Sequence, residues 1–207
     1  MAFNGFTSAD FTVFSLPGFE ERMGALKQIV RPKLEAIGAQ LAPALSEAVG
    51  MPMYAHVAKH ARRTVNPPKD TWVAWSANAR GYKAHPHFQV GLWGTHVFAL
   101  FAMIYEAPQK ASFARQLREN LDQLRMPADF VWSGDHMQPG AVPHGEMDAE
   151  AFRVFVDRLE QVKKAEALCG IHLMADDPLL TDGDAFLERV MEVFRTTMPL
   201  YRMASAL

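Results

Sequence analysis

The sequence predicts an α+β fold: an antiparallel or mixed β-sheet with helices packed on one face, in a single compact domain over residues 1–207. Three observations point to it. Between residues 54 and 106 the chain breaks into short runs rich in aromatic and β-branched residues. The connections between these runs are too short for the crossovers that parallel pairing needs, so the runs read as a meander. On both sides of this block, apolar residues recur at helical spacing.

Taken in order, Ser8 is placed to cap a short helix that Pro17-Gly18 ends. Met23, Leu26, Ile29 and Val30, then Leu34, Ile37, Leu41, Leu45 and Val49, form one stripe across residues 19–49, with Pro32 marking a kink or a second start. Strands are expected at 54–59, 71–76, 87–93 and 95–106, separated by turns at Asn66-Pro67-Pro68-Lys69-Asp70 and Arg80-Gly81-Tyr82. Pro108 opens a helix carrying Ala114, Leu117, Leu121 and Leu124. A strand at Phe130-Val-Trp-Ser-Gly, a loop at 135–147 and a helix capped by Asp148 follow. Ala167 to Met174 reads as the last strand. Thr181-x-x-Asp184 resembles a capping box ahead of a closing helix with Leu187, Val190, Met191, Phe194 and Met198.

At 49% hydrophobic and 21% charged residues, the chain has an ordinary globular composition. The single cysteine, Cys169, lies in an apolar run and reads as an inert buried thiol. The opening residues show no basic leader ahead of an apolar stretch. The longest apolar run, Val97 to Tyr105, is nine residues, against about 17–25 for a membrane-spanning helix. A cytoplasmic protein with no membrane partner is therefore expected. The net charge of −2 is unevenly spread. Residues 54–87 hold six Lys/Arg against one acid, whereas residues 129–207 hold fourteen acids against seven bases. That asymmetry suggests a local anion-binding surface. It is equally read as a basic segment that pairs with acidic helices.

Several stretches carry a family resemblance. They include His56-Val-Ala-Lys-His60-Ala-Arg62-Arg63, Asp70-Thr-Trp72-Val-Ala, Arg80-Gly81-Tyr82-Lys83, Pro86-His87-Phe88-Gln89 and Gly91-Leu92-Trp93-Gly94-Thr95-His96. With Phe130-Val-Trp132-Ser133 and Pro199-Leu200-Tyr201, the chain resembles the YktB-like family of bacterial proteins over nearly its whole length. The resemblance implies a compact α+β domain and carries over no activity, substrate or catalytic residue.

The candidate site therefore rests on the residues alone. In the strand from His87 to Trp93, period-2 alternation sets Phe88, Val90 and Leu92 on one face, and His87, Gln89, Gly91 and Trp93 on the other. The second face offers a pocket floor, with Trp93 as a stacking plate and Gly91 as bare backbone that a ligand or another backbone approaches closely. It also reads as a plain polar sheet face with Trp93 beneath a loop. Lys59, Arg62, Arg63, Arg80 and Lys83 are the cations for such a pocket, if the first two strands form a hairpin around Pro67-Pro68. His56/His60 and His85/His87 have ligand-like spacing, but no cysteine pair or nearby acid completes a tetrahedron, so no metal is expected. Ser133-Gly134-Asp135-His136 lacks the spacing of a catalytic triad and is not taken as one. No P-loop, GxGxxG, GxSxG or HExxH occurs, and no cofactor is expected.

Three functions compete at this level. The first is a pocket for a small anionic or nucleotide-like metabolite, built from the His87–Trp93 strand and the basic hairpin. The second is an interaction or structural module without a pocket. The third is a nucleic-acid-binding module stacking bases on Trp72, Trp75, Tyr82 and Trp93, which a pI of about 6.4 disfavours.

Overall fold

Alternation along seven strands sorts the side chains onto two faces, and only one of those faces receives helices. The computed structural model describes residues 2–205; Met1, Ala206 and Leu207, part of the expected 1–207 domain, lie outside the described residues. The strands are β1 (Tyr54–Val57), β2 (Asp70–Ser76), β3 (His87–Trp93), β4 (His96–Met103), β5 (Val131–Ser133), β6 (Val142–Pro143) and β7 (Ala167–Met174). They form one sheet in the order β1-β2-β3-β4-β7-β5-β6, with every pairing antiparallel. The first four make the expected meander. β7 returns beside β4 and carries β5 on its far side.

The helices are α1 (Ser8–Thr12), α2 (Phe19–Ala25), α3 (Arg31–Val49), α4 (Lys110–Glu119), α5 (Ala149–Gln161), α6 (Gly183–Thr196) and α7 (Met198–Ser205). A five-residue π segment, Leu26–Val30, joins α2 to α3 without a break, so residues 19–49 are one continuous irregular helix. Pro32 follows the π segment closely and has no N–H to donate, so the irregularity of the helix falls where its bonding ladder is interrupted. Three starts differ from the sequence reading. Thr7, not Ser8, caps α1, because Asp10 bonds back to the Thr7 N–H at 2.6 Å. Asp182, not Thr181, caps α6 by accepting the Ala185 N–H. Pro108 lies two residues ahead of α4 rather than at its first position. Asp148 caps α5 as expected. The 135–147 loop is not wholly irregular, since it contains β6.

The main core lies between the helices and one sheet face. Phe88, fully buried on β3, packs against Phe194 of α6 and stacks on Tyr201 of α7, with ring centroids 4.8 and 5.0 Å away. Trp75 on β2 donates its indole N–H to the Gly38 carbonyl at 3.0 Å. α3 can come this close because a Cβ on Gly38 would lie 3.2 Å from both Ala55 and Val73. Cys169 is fully buried and its thiol pKa is raised by desolvation, which fits an inert thiol.

The charge asymmetry is resolved in an unexpected way. The acids of α5 pair with arginines of α4: Arg115 with Glu160 at 3.1 Å, and Arg118 with Asp157 at 2.9 Å and Glu160 at 2.8 Å. Lys83 pairs with Glu106 inside the strand block at 3.1 Å. Among the described residues Lys59, Arg62 and Arg63 form no ion pair. The basic segment therefore does not neutralise the acidic helices. Among the described residues, no helix is long and apolar enough to cross a membrane.

Because Phe88 bridges β3 to two helices, Phe88→Ala is expected to cost about 3–5 kcal/mol in denaturant unfolding. Val65→Ala, at a side chain 75% exposed, should change stability by less than about 0.5 kcal/mol.

Candidate functional site

Among the described residues, no helix covers the second sheet face. Trp72 on β2, His87 and Gln89 on β3, and Phe98 on β4 line a cleft of about 580 Å³. The register explains the grouping, because Gln89 lies opposite Ala74 and Leu100 while Gly91 lies between Trp72 and Phe98. Three connections wall the cleft: the β1–β2 loop with Lys59 to Arg63, the β2–β3 loop with Tyr82 and Lys83, and the loop after β5 with His136 and Met137.

The face assignment from alternation is correct, with Phe88, Val90 and Leu92 in the helix-side core. Of the proposed ligand-binding residues, Lys59, Arg62, Arg63, Lys83, His87 and Gln89 line the cleft. Arg80 and Trp93 do not. Arg80 is exposed on the β2–β3 loop. Trp93 packs with Phe98 and Leu100 in a small second core and borders only a narrow adjoining crevice. Gly91 is not open to a ligand: a Cβ there would come within 2.4 Å of the Phe98 ring and 2.5 Å of the Thr71 carbonyl oxygen. The bare strand makes room for Phe98, which becomes part of the floor. Trp75, proposed as a base-stacking surface, is fully buried on the helix side.

The cleft is elongated. Asp70 pairs with Trp93 at one end of β3, and His87 begins that strand at the other, so the two sit roughly 20 Å apart at about 3.3 Å per residue. At the His87 end the imidazole is neutral, with the Lys83–Glu106 ion pair also lining the cleft. His87 is fully buried, its Nδ1 lies 2.9 Å from the His85 carbonyl, and its Nε2 has no partner. An Nδ1–H donated to that carbonyl leaves Nε2 as a bare acceptor. Burial lowers the His87 pKa to about 4. Its ring packs edge-on to Tyr82, with centroids 4.9 Å apart, and the Tyr82 hydroxyl accepts the Trp72 indole N–H at 2.9 Å.

The Asp70 end is charged. Asp70 is 5% exposed, and burial raises its pKa to about 6 although the charges of His136 and Arg63 oppose the shift. His136 bonds through Nδ1 to the buried Glu166 carboxylate at 2.8 Å. Burial disfavours its charged form, but the hydrogen bond and charge of Glu166, with Asp70 and Asp135, outweigh this and raise its pKa. His60 supports the basic loop. Its backbone is left-handed (φ 51°), and it is held by a 3.2 Å contact between Nε2 and Thr71 Oγ1 and by packing against Trp72. Its pKa is lowered to about 4, chiefly by burial.

The histidine pairs of the sequence do not converge on a point. His56 contacts the Asn78 carbonyl and His85 the Asn78 side chain, while His60 and His87 have the separate partners above. Asp135, His136 and Glu166 place ligand-type atoms within 4.8 Å of one another. Both Glu166 oxygens already accept from His136, however, and Asp135 accepts the Met137 N–H, so the group is satisfied as a hydrogen-bonded ion pair. The sequence pointed to Tyr82 only as a base-stacking side chain and to His136 only within the rejected Ser133–His136 cluster, and gave no role to Asp70 or Glu166. The one available signal was that Asp70 is the only acid within the basic 54–87 segment.

A family model described as "Domain of unknown function (DUF1054)" matches residues 6–201. A UPF0637 protein of Bacillus cytotoxicus is 47% identical over 207 residues, covering 99% of this chain and 100% of its own length. A UPF0637 protein of Bacillus mycoides shows the same identity and coverage, and one of Bacillus thuringiensis is 46% identical with the same coverage. The chain belongs to this family, the one that its sequence motifs resemble.

The buried Asp70 carboxyl gives a stability prediction of definite sign. Folding holds its proton up to about pH 6, against 3.8 for the ordinary group. Its contribution is therefore lost as pH rises from about 4 to 6, and above that the folded state carries a buried charge. Asp70→Asn should stabilise the protein by about 1–3 kcal/mol at pH 7.5. The gain should vanish toward pH 4, as read from urea unfolding at both pH values.

Proposed function

We propose, from the geometry of the open face, that the cleft binds a small anionic, nucleotide-like metabolite. The anionic group sits at the Asp70 end among Lys59, Arg62 and Arg63, whose donors suit phosphate oxygens. The organic part lies over Trp72, Phe98 and Tyr82 and presents an N–H or O–H to His87. One observation carries the reading: among the described residues the buried His87 Nε2 has no partner, in a cleft whose far end holds three cations that form no ion pair, with Asp70 beside them. A buried acceptor without a donor is costly, and a ligand that supplies the donor recovers that cost. The concave face also favours a ligand pocket over a flat interaction surface. The cytoplasm is the compartment this reading assigns, supported by the free, buried Cys169.

Thermal unfolding tests the reading. Adenosine 5′-monophosphate at about 100 times its Kd should add about 2.7 kcal/mol and raise Tm accordingly. The shift should shrink as salt screens the exposed cations. Arg62→Ala or Arg63→Ala should abolish it, whereas Arg80→Ala should leave it unchanged. His87→Phe should weaken the response to the nucleotide while sparing that to inorganic phosphate. A response lost equally in Arg80→Ala, or none to any phosphate compound, would overturn the reading.

A further inference from the structure

The charged end of the cleft holds more than an anion site needs. Binding requires cations, yet a buried carboxyl and an oriented imidazole stand beside them. His136 is fixed by Glu166 at Nδ1, which leaves Nε2 as the atom able to exchange a proton with a ligand. Glu166 is 2% exposed and also accepts the backbone N–H groups of Tyr105 at 3.3 Å and His136 at 2.7 Å. It therefore orients the ring rather than meeting a substrate. Asp70 opens β2 on the same face, without an ion-pair partner among the described residues, and lines the same cleft as His136. The two are close enough for the charge of each to act on the other.

We propose that Asp70 and His136 are a general base and a general acid for hydrolysis of a phosphodiester bound at Lys59, Arg62 and Arg63. This rests on the binding reading above and deepens it. Asp70 takes a proton from water as the water oxygen bonds to phosphorus. The bond from phosphorus to the leaving oxygen breaks, and His136 gives its Nε2 proton to that oxygen. The products are a phosphomonoester and an alcohol, and solvent returns both residues to their starting states. The cations stabilise the charge that builds on the non-bridging oxygens. The assignment of roles follows from the surroundings. Asp70 faces His136 and Arg63 and ionises near pH 6, while His136 faces Glu166, Asp70 and Asp135 and keeps its proton above the ordinary histidine range. Glu166 is a positioning residue. A diester suits the pair because its displacement needs both an activated water and a protonated leaving group.

Two probes separate the roles: bis(p-nitrophenyl) phosphate, whose nitrophenolate departs without a proton, and adenosine 2′,3′-cyclic monophosphate, whose alkoxide does not. Both should be hydrolysed with a bell-shaped pH profile. Asp70→Asn should lower both rates by about 100-fold or more. His136→Gln should lower the cyclic-nucleotide rate by about as much, yet the nitrophenyl rate by less than about 10-fold. Glu166→Gln should move the alkaline limb of the profile to lower pH, which a purely structural role would not do. Phosphate-induced stabilisation without turnover of either diester would refute the hydrolysis and leave the binding reading standing. Equal loss of both rates in His136→Gln, with its fold and phosphate response intact, would refute the acid role. So would hydrolysis that stops on chelation and returns only with a divalent metal.

Discussion

One buried carboxylate holds the open face together. Glu166 stands one residue before β7 and accepts hydrogen bonds from the Tyr105 backbone, the His136 backbone and the His136 ring. Its own N–H donates to Gly134 at 3.2 Å. These bonds tie the end of the β4 segment, the start of β7 and the loop after β5 to one point. An ionised carboxylate this deep is costly to desolvate, and leaving it unpaired would cost more still. The loop bearing His136 is therefore drawn against the sheet, where it closes one side of the cleft. Without that wall, the face would be an open slope of Trp72, Phe98 and Leu100.

The two sides of the sheet obey different rules. On the helix side, Trp75, Phe88 and Phe101 fill space, and the Trp75 and Trp132 indole N–H groups each find an acceptor. On the open side, residues of the same strands place polar groups where apolar ones would be more stable. His87 keeps an acceptor without a donor, Asp70 holds a carboxyl that burial penalises, and His60 adopts a left-handed backbone. Costs of this kind meeting in one cleft are what support the binding proposed for it. They also explain the distribution of charge. The acids of α5 are matched by arginines of α4, which leaves the β1–β2 loop cations free to meet something from outside.

Much of this was legible in the sequence, for physical reasons. Period-2 alternation placed Phe88 and His87 on opposite faces correctly, because successive side chains of a pleated strand point to opposite sides whatever covers them. Short turns gave the antiparallel meander, and the basic hairpin led to Lys59, Arg62 and Arg63. What failed depended on contacts distant in sequence. Gly91 looked open because nothing in its strand shows that Phe98 of the next one lies across it. Arg80 belongs to the same run of basic residues as Lys83, but which way each side of a loop points is not written in composition. His136 and Glu166 are thirty residues apart in sequence, and only the fold joins them. The helix starts slipped by one residue where two capping residues stood side by side, at Thr7-Ser8 and Thr181-Asp182.

The imidazoles offer the most direct test of a cleft with a neutral imidazole at one end and a charged one at the other. In 15N-histidine-labelled protein, with His136→Gln and His87→Phe to assign the signals, nitrogen shifts followed from pH 8 to pH 4 report each ring separately. His136 should titrate above the ordinary 6.5, while His87 should stay neutral, with its proton on Nδ1, down to about pH 4. A His136 midpoint at or below 6.5, or a His87 ring that charges near 6.5 or carries its proton on Nε2, would contradict this arrangement.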